Sequence, residues 1–187
     1  MDDSVFHRLY DQYHHDVFKF LVYLTRDRDH AEDLTHEVYV RVLRAYAGFE
    51  GKSSEKTWLF SIAKNVAIDH FRKNTVRNKY QFDKFDWEKS ELVSTGILPE
   101  ELVTLSEEMK ELLQALDTCT GDQKVVIIMR YFQDLSIAET AETLGWTEGK
   151  VKTTQHRGIK ALQKKLNSLP TEGGKIDDRQ EMGRQQN

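Results

Sequence analysis

The sequence predicts an all-α protein: two small helical domains joined by a flexible linker, the C-terminal one a helix-turn-helix. Three observations carry that prediction. Apolar residues recur at three- and four-residue intervals along most of the 187-residue chain, and no stretch alternates like a half-buried strand. Only two prolines occur, Pro99 and Pro170, so the periodic segments lack strong helix breakers. From about Thr75 to Leu102 the period lapses into mixed charges, Ser, Thr, Gly and isolated aromatics, ending in "GILPEE", as a linker would. The expected units are residues 1–76, a linker over 77–102, a second domain over 103–167 and a disordered polar tail over 168–187.

The first helix is drawn by Val5/Phe6, Leu9/Tyr10, Tyr13, Val17, Phe20/Leu21 and Leu24. A second is expected from Asp29, where Asp29 and Glu32 have the spacing of a reciprocal cap. Leu34, Val38, Val42 and Ala45 form its apolar stripe, and Gly48 marks its end. The loop "GFEGKSSEK" then leads into "TWLFSIAKNVAIDHFRKN", with Trp58, Ile62, Val66 and Phe71 on one broad face. These three helices can build one core, and Trp58 is expected to belong to it. Period resumes at Val103, Leu105, Met109, Leu112, Leu113 and Leu116; a short helix over Asp122 to Phe132 and two more follow.

Composition narrows the function. The longest apolar run, Val125 to Met129, is far too short to span a membrane. No basic-then-apolar signal opens the chain, and the single cysteine, Cys119, forbids an internal disulfide, so a reducing, cytoplasmic setting is expected. Net charge is −4, yet the average conceals two basic islands. Residues 148–166 carry six positive charges against one negative, and residues 62–79 five against one. Acidic residues gather instead between Asp83 and Glu111. Two basic islands on an acidic chain point to two contacts with a polyanion.

The stretch "LGWTEGKVKTTQHRGIKAL" decides which polyanion. A nucleotide P-loop needs G-x-x-x-x-G-K-[ST] between a strand and a helix. Gly145 and Gly149 are one residue too close, Val151 stands where the hydroxyl belongs, and the preceding "SIAETAETL" has helical period. A helix-turn-helix fits throughout. Ser136 and Glu139 make a capping box, Ala141 is small where two helices approach, and Gly145 permits a left-handed turn. Thr147 can cap the second helix, with Val151, Ile159 and Leu162 available to the core. That helix exposes Lys150, Lys152, Thr153, His156, Arg157 and Lys160, as suits entry into a major groove.

Two long segments, "AEDLTHEVYVRVLRAYAGFEGKSSEKTWLFSIAKNVAIDHFRK" and "DQKVVIIMRYFQDLSIAETAETLGWTEGKVKTTQHRGIKALQKKL", together resemble a bacterial sigma-70 family factor of the extracytoplasmic-function (ECF) type. The resemblance covers roughly residues 4–167. It implies that the "AEDLTHEV" helix grips the clamp of core RNA polymerase through Asp33, His36 and Glu37, with His36 where the family usually has Gln. It implies that Phe49, Phe60 and Asn65 line or flank a pocket for a flipped-out base of the melted −10 element, beside Asp69, with Lys64, Arg72 and Lys73 on the backbone. On duplex −35 DNA it places Lys152, Thr153, His156 and Arg157 at or near base edges and Lys150, Thr154 and Lys160 on phosphates. An anti-sigma factor, in some relatives membrane-anchored, is the further partner it implies.

Competing classes explain less. A simple helix-turn-helix regulator leaves the polymerase-like N-terminal helix and the loop aromatics without purpose. S-x-x-K occurs at Ser53–Lys56 and Ser61–Lys64, but the S-D-N and K-T-G partners of a penicillin-binding site are missing. Among the seven histidines, His14/His15, His30 and His36 lack H-E-x-x-H spacing, and one cysteine cannot anchor a thiolate metal site. The expectation is therefore no enzymatic activity, no cofactor, no metal and no small-molecule substrate.

Overall fold

A computed structural model of the chain describes residues 3–78 and 106–168, so most of the expected linker and nearly all of the tail lie outside the described residues. Within them every regular element is helical. The N-terminal half comprises α1 (Asp3–Thr25), α2 (Arg28–Ala45), a single 3-10 turn (Tyr46–Gly48) and α3 (Glu55–Asn78). The C-terminal half comprises α4 (Glu107–Leu116), α5 (Gly121–Ile127), a π-helical turn (Ile128–Phe132), α6 (Ile137–Leu144) and α7 (Glu148–Leu166).

The cap of α2 lies two residues before the expected Asp29. Arg26 takes a left-handed φ of 56°, which turns the chain so that Asp27 becomes the extended cap. The Asp27 carboxylate accepts from the His30 amide at 2.9 Å, and that bond holds its pKa below the usual carboxylate range. Asp29 sits in the first turn, where its charge still opposes the helix dipole. Helix α3 also begins two residues early, because the Ser54 hydroxyl accepts from the Thr57 amide at 3.0 Å. Arg8 clamps that end with a bidentate pair to Glu55 at 2.6 and 2.7 Å, joining α1 to α3. Between the three helices Leu9, Val17, Leu21, Val38 and Val66 are buried, and the Phe20 and Phe60 rings meet edge to face at 5.4 Å.

In the second half the expected single helix over Asp122–Phe132 is two pieces. Thr120 and Gln123 form a capping box that starts α5, a T-x-x-Q signal the sequence reading missed. Its far end widens into the π turn, where the Gln133 amide reaches back to the Ile128 carbonyl at 3.1 Å. The Ser136–Glu139 capping box is present on α6, and Gly145 ends that helix at φ 67°. Thr147 caps α7, and Val151 is fully buried.

Gly158 lies inside α7, where nothing in its spacing sets it apart. A Cβ there would stand 3.1 Å from Ile127 Cγ1 and 3.4 Å from Gln123 Cβ, so α5 and α7 meet at this glycine. Gly158→Val is expected to destabilise the chain by about 1–3 kcal/mol through overpacking. Thermal unfolding followed by circular dichroism checks this; an unchanged midpoint would mean that Ile127 yields freely. Cys119 is buried beside the same glycine, its Sγ 3.9 Å from the Gly158 carbonyl. Burial pushes its thiol up to about 11, which leaves little reactive thiolate at neutral pH.

The two halves are in contact. The Tyr23 and Phe132 rings lie 4.8 Å apart, Lys56 donates to the Gln133 carbonyl at 2.6 Å, and the Thr143 hydroxyl reaches the Thr57 carbonyl at 3.5 Å. Arg26 meets Asp117 at 3.4 Å, and the other Asp117 oxygen takes Lys124 at 2.8 Å. Buried residues of both halves form one continuous cluster across this seam.

Candidate nucleic-acid interface

Helices α6 and α7 build the C-terminal surface. The Trp146 amide donates to the Ala141 carbonyl at 2.8 Å, closing the turn around Gly145, and Val151 and Leu162 fasten α7 to the core. With those positions buried, helical geometry turns Lys152, Thr153, His156, Arg157 and Lys160 outward, and all five are exposed. Thr154 is half-buried. Lys152 is paired with Glu148 one turn back at 3.2 Å. Lys150 is also held: its Nζ lies 3.9 Å from the centre of the Trp146 ring and 3.5 Å from an Asp122 oxygen. A row of cations and hydroxyls on one rigid helix can meet phosphates and base edges together.

Beside this row stands a cluster that sequence reasoning did not find. Gln155 on α7 donates to the Tyr131 hydroxyl at 2.9 Å and accepts from Arg130 Nε at 3.2 Å. Tyr131, in the π turn, is 52% exposed beside the α7 row. The signal available in the sequence was the "RYF" run that closes the preceding helix.

The N-terminal surface is less uniform. Asn65, Arg72 and Lys73 are exposed on α3, while Lys64 is half-buried, and burial lowers the pKa of its ammonium. Asp69 does not stand alone, because Arg41 of α2 donates to it at 2.9 Å and to Glu37 at 2.8 Å. One guanidinium thus joins the carboxylate expected to face polymerase to the one expected to face the −10 strand. Phe49 sits in a three-ring cluster with Tyr46 and Trp58, at 5.8 and 5.0 Å. Trp58 is half-buried and packs on the core, as expected. Phe60 departs from expectation: at 0% exposure, wedged against Phe20, it has no face to offer a base and is a core residue.

Asp33, His36 and Glu37 are exposed together on α2. His36 also borders a cavity of about 290 Å³ between α1 and α2, lined by Tyr10, His14, Phe18, Thr35 and Tyr39. Among the described residues, no three metal-ligating side chains converge and no helix is long and apolar enough to cross a membrane.

Residues 9–77 match the Sigma-70 region 2 family, and residues 109–162 match the Sigma-70, region 4 family. The chain is 49% identical over 170 residues to the ECF RNA polymerase sigma factor SigX of Bacillus subtilis (strain 168), covering 91% of this chain and 88% of that one. It is 34% identical over 158 residues to the RNA polymerase sigma factor YlaC of the same organism, covering 84% and 90%. Among solved structures it is similar to the sigma factor RpoE in complex with the anti-sigma factor NepR from Bartonella quintana. That likeness has a TM-score of 0.70 at 24% identity and covers 87% of this chain and 97% of the other.

Proposed function

Because the chain belongs to the ECF sigma factors of the sigma-70 family, we propose that it binds core RNA polymerase through α2, reads duplex −35 DNA with α7 and captures melted −10 DNA on α3. The observation that carries this reading is the outward row of Lys152, Thr153, His156 and Arg157 on a helix otherwise fastened by Val151 and Leu162. In this reading Arg157 and Lys152 address base edges, and Lys150, Thr154 and Lys160 address phosphates. Asn65 reads the edge of an unpaired base, Phe49 and its ring neighbours give a stacking surface, and Lys64, Arg72 and Lys73 hold the strand. Asp33, His36 and Glu37 meet the polymerase clamp. The chain supplies address and strand opening and no catalytic step of its own; it works in the cytoplasm, and an anti-sigma factor restrains it.

Run-off transcription with purified bacterial core polymerase and a promoter library tests the reading. Initiation from a defined subset of promoters is expected; DNA binding without initiation would favour a simple regulator. Asn65→Ala is expected to leave −35 duplex binding intact while impairing open-complex formation. Unaltered permanganate reactivity of −10 thymines in that variant would remove Asn65 from the −10 site.

A further inference from the structure

We propose that Tyr131 is a further DNA contact: its phenolic hydroxyl donates to a backbone phosphate of the −35 duplex, aimed there by a hydrogen-bond relay running from Arg130 through Gln155. The DNA role rests on the reading of α7 as a helix that meets duplex; the relay rests on contacts alone. Arg130 Nη1 donates to the Leu135 carbonyl, and its Nε donates to Gln155 Oε1 at 3.2 Å. A guanidinium can only donate, so this contact fixes which end of the Gln155 amide is oxygen and turns the amide nitrogen toward Tyr131. That nitrogen donates to the Tyr131 hydroxyl oxygen at 2.9 Å. The phenol is the acceptor in this bond and keeps its own hydrogen, which meets no acceptor among the described residues.

The place of the hydroxyl decides what accepts from it. Gln155 lies three residues beyond Lys152 and next to His156, on the shoulder of α7 between buried Val151 and the exposed row. Tyr131 is itself exposed and stands in the turn that leads into α6, so it flanks both helices of the helix-turn-helix. A helix seated in a major groove has phosphates along its flanks and base edges ahead of it. Phosphate oxygens only accept, which suits a hydroxyl whose remaining capacity is to donate. Each donor in the relay polarises the next, with a cation at its head, so the phenolic hydrogen is a stronger donor than that of an isolated tyrosine. The relay also holds the ring before DNA arrives, so little side-chain freedom is left to lose. Arg130, half-buried, acts as a positioning residue, and Gln155 is spent on the relay rather than on a base.

Duplex binding by the full chain across a salt series tests the contact. Tyr131→Phe removes only the hydroxyl and is expected to weaken binding roughly 3- to 20-fold, equally on a −35 duplex and on random duplex. The slope of log affinity against log salt should stay unchanged, because a neutral donor displaces no counterion. Lys160→Met, which removes a cation, should flatten that slope in the same series. A methylphosphonate scan of the −35 duplex locates the acceptor: at one linkage the substitution should cost wild type more than it costs Tyr131→Phe. Gln155→Glu keeps the bond to Arg130 but can no longer donate to Tyr131, whose hydrogen then turns inward. Adding Tyr131→Phe to that variant should cost nothing more. Wild-type affinity in Tyr131→Phe, or one methylphosphonate profile shared by both proteins, overturns the proposal. So does a loss seen in core polymerase binding and not on duplex, which would make Tyr131 a polymerase contact. A wild type that binds no duplex overturns the proposal together with the reading of α7. The Tyr131 signature on duplex without any promoter-specific run-off would leave the contact standing and remove the sigma-factor reading instead.

Discussion

Arg157→Ala is expected to cost about 1–3 kcal/mol of discrimination between a −35 element and random duplex, from roughly 5-fold to roughly 150-fold in relative affinity. Arg157 is exposed one turn beyond Thr153, on the stretch of α7 whose opposite face is anchored by Val151 and Leu162. Its planar fork can span two acceptors on a guanine edge, which the single ammonium of Lys152 cannot. The two side chains therefore separate by experiment. Arg157→Lys should keep most non-specific affinity and lose much of the discrimination. Competition binding measured at one fixed salt concentration checks it, and equal loss on specific and random duplexes would make Arg157 a phosphate contact.

Phe60→Ala is expected to destabilise the fold by about 3–5 kcal/mol, the usual cost of emptying a fully buried phenyl site. The ring sits at 0% exposure against Phe20, so its removal leaves a cavity among α1 and α3. Urea denaturation would read the loss as a lower midpoint at constant slope. Phe60→Leu separates the core role from a role in base stacking. Leucine fills much of the volume without an aromatic face, so stability should fall only modestly and −10 opening should persist. A folded Phe60→Leu protein unable to open DNA would return Phe60 to the DNA surface.

The helices, the two halves and the C-terminal turn were legible because each is written in local chemistry. The Ser136–Glu139 box, Gly145 and Thr147 all act within a few residues of themselves, and all stand where the spacing put them. The cap of α2 was misplaced because Arg26, an ordinary arginine by type, adopts a conformation that only its surroundings require. Phe60 was misread for a similar reason. Its place at a base pocket came from the resemblance alone, whereas its burial depends on Phe20, 40 residues away. Long-range pairs such as Arg41–Asp69 and Gln155–Tyr131 leave no periodic trace, since each needs two distant elements to be placed first. The seam between the halves was unreadable on the same ground.

Lys150 has a consequence for how salt should govern −35 binding. Its ammonium already rests over Trp146 and near Asp122. A cation neutralised within its own protein displaces fewer condensed counterions when it meets a phosphate, so it adds less than a full unit to the charge count that sets the salt slope. Its side-chain freedom is also largely spent before DNA arrives. Lys150 thus trades ionic pull for preorganisation. Exposed Lys160, nearer the other end of the same helix, should account for more of the steepness with which binding fades as salt rises.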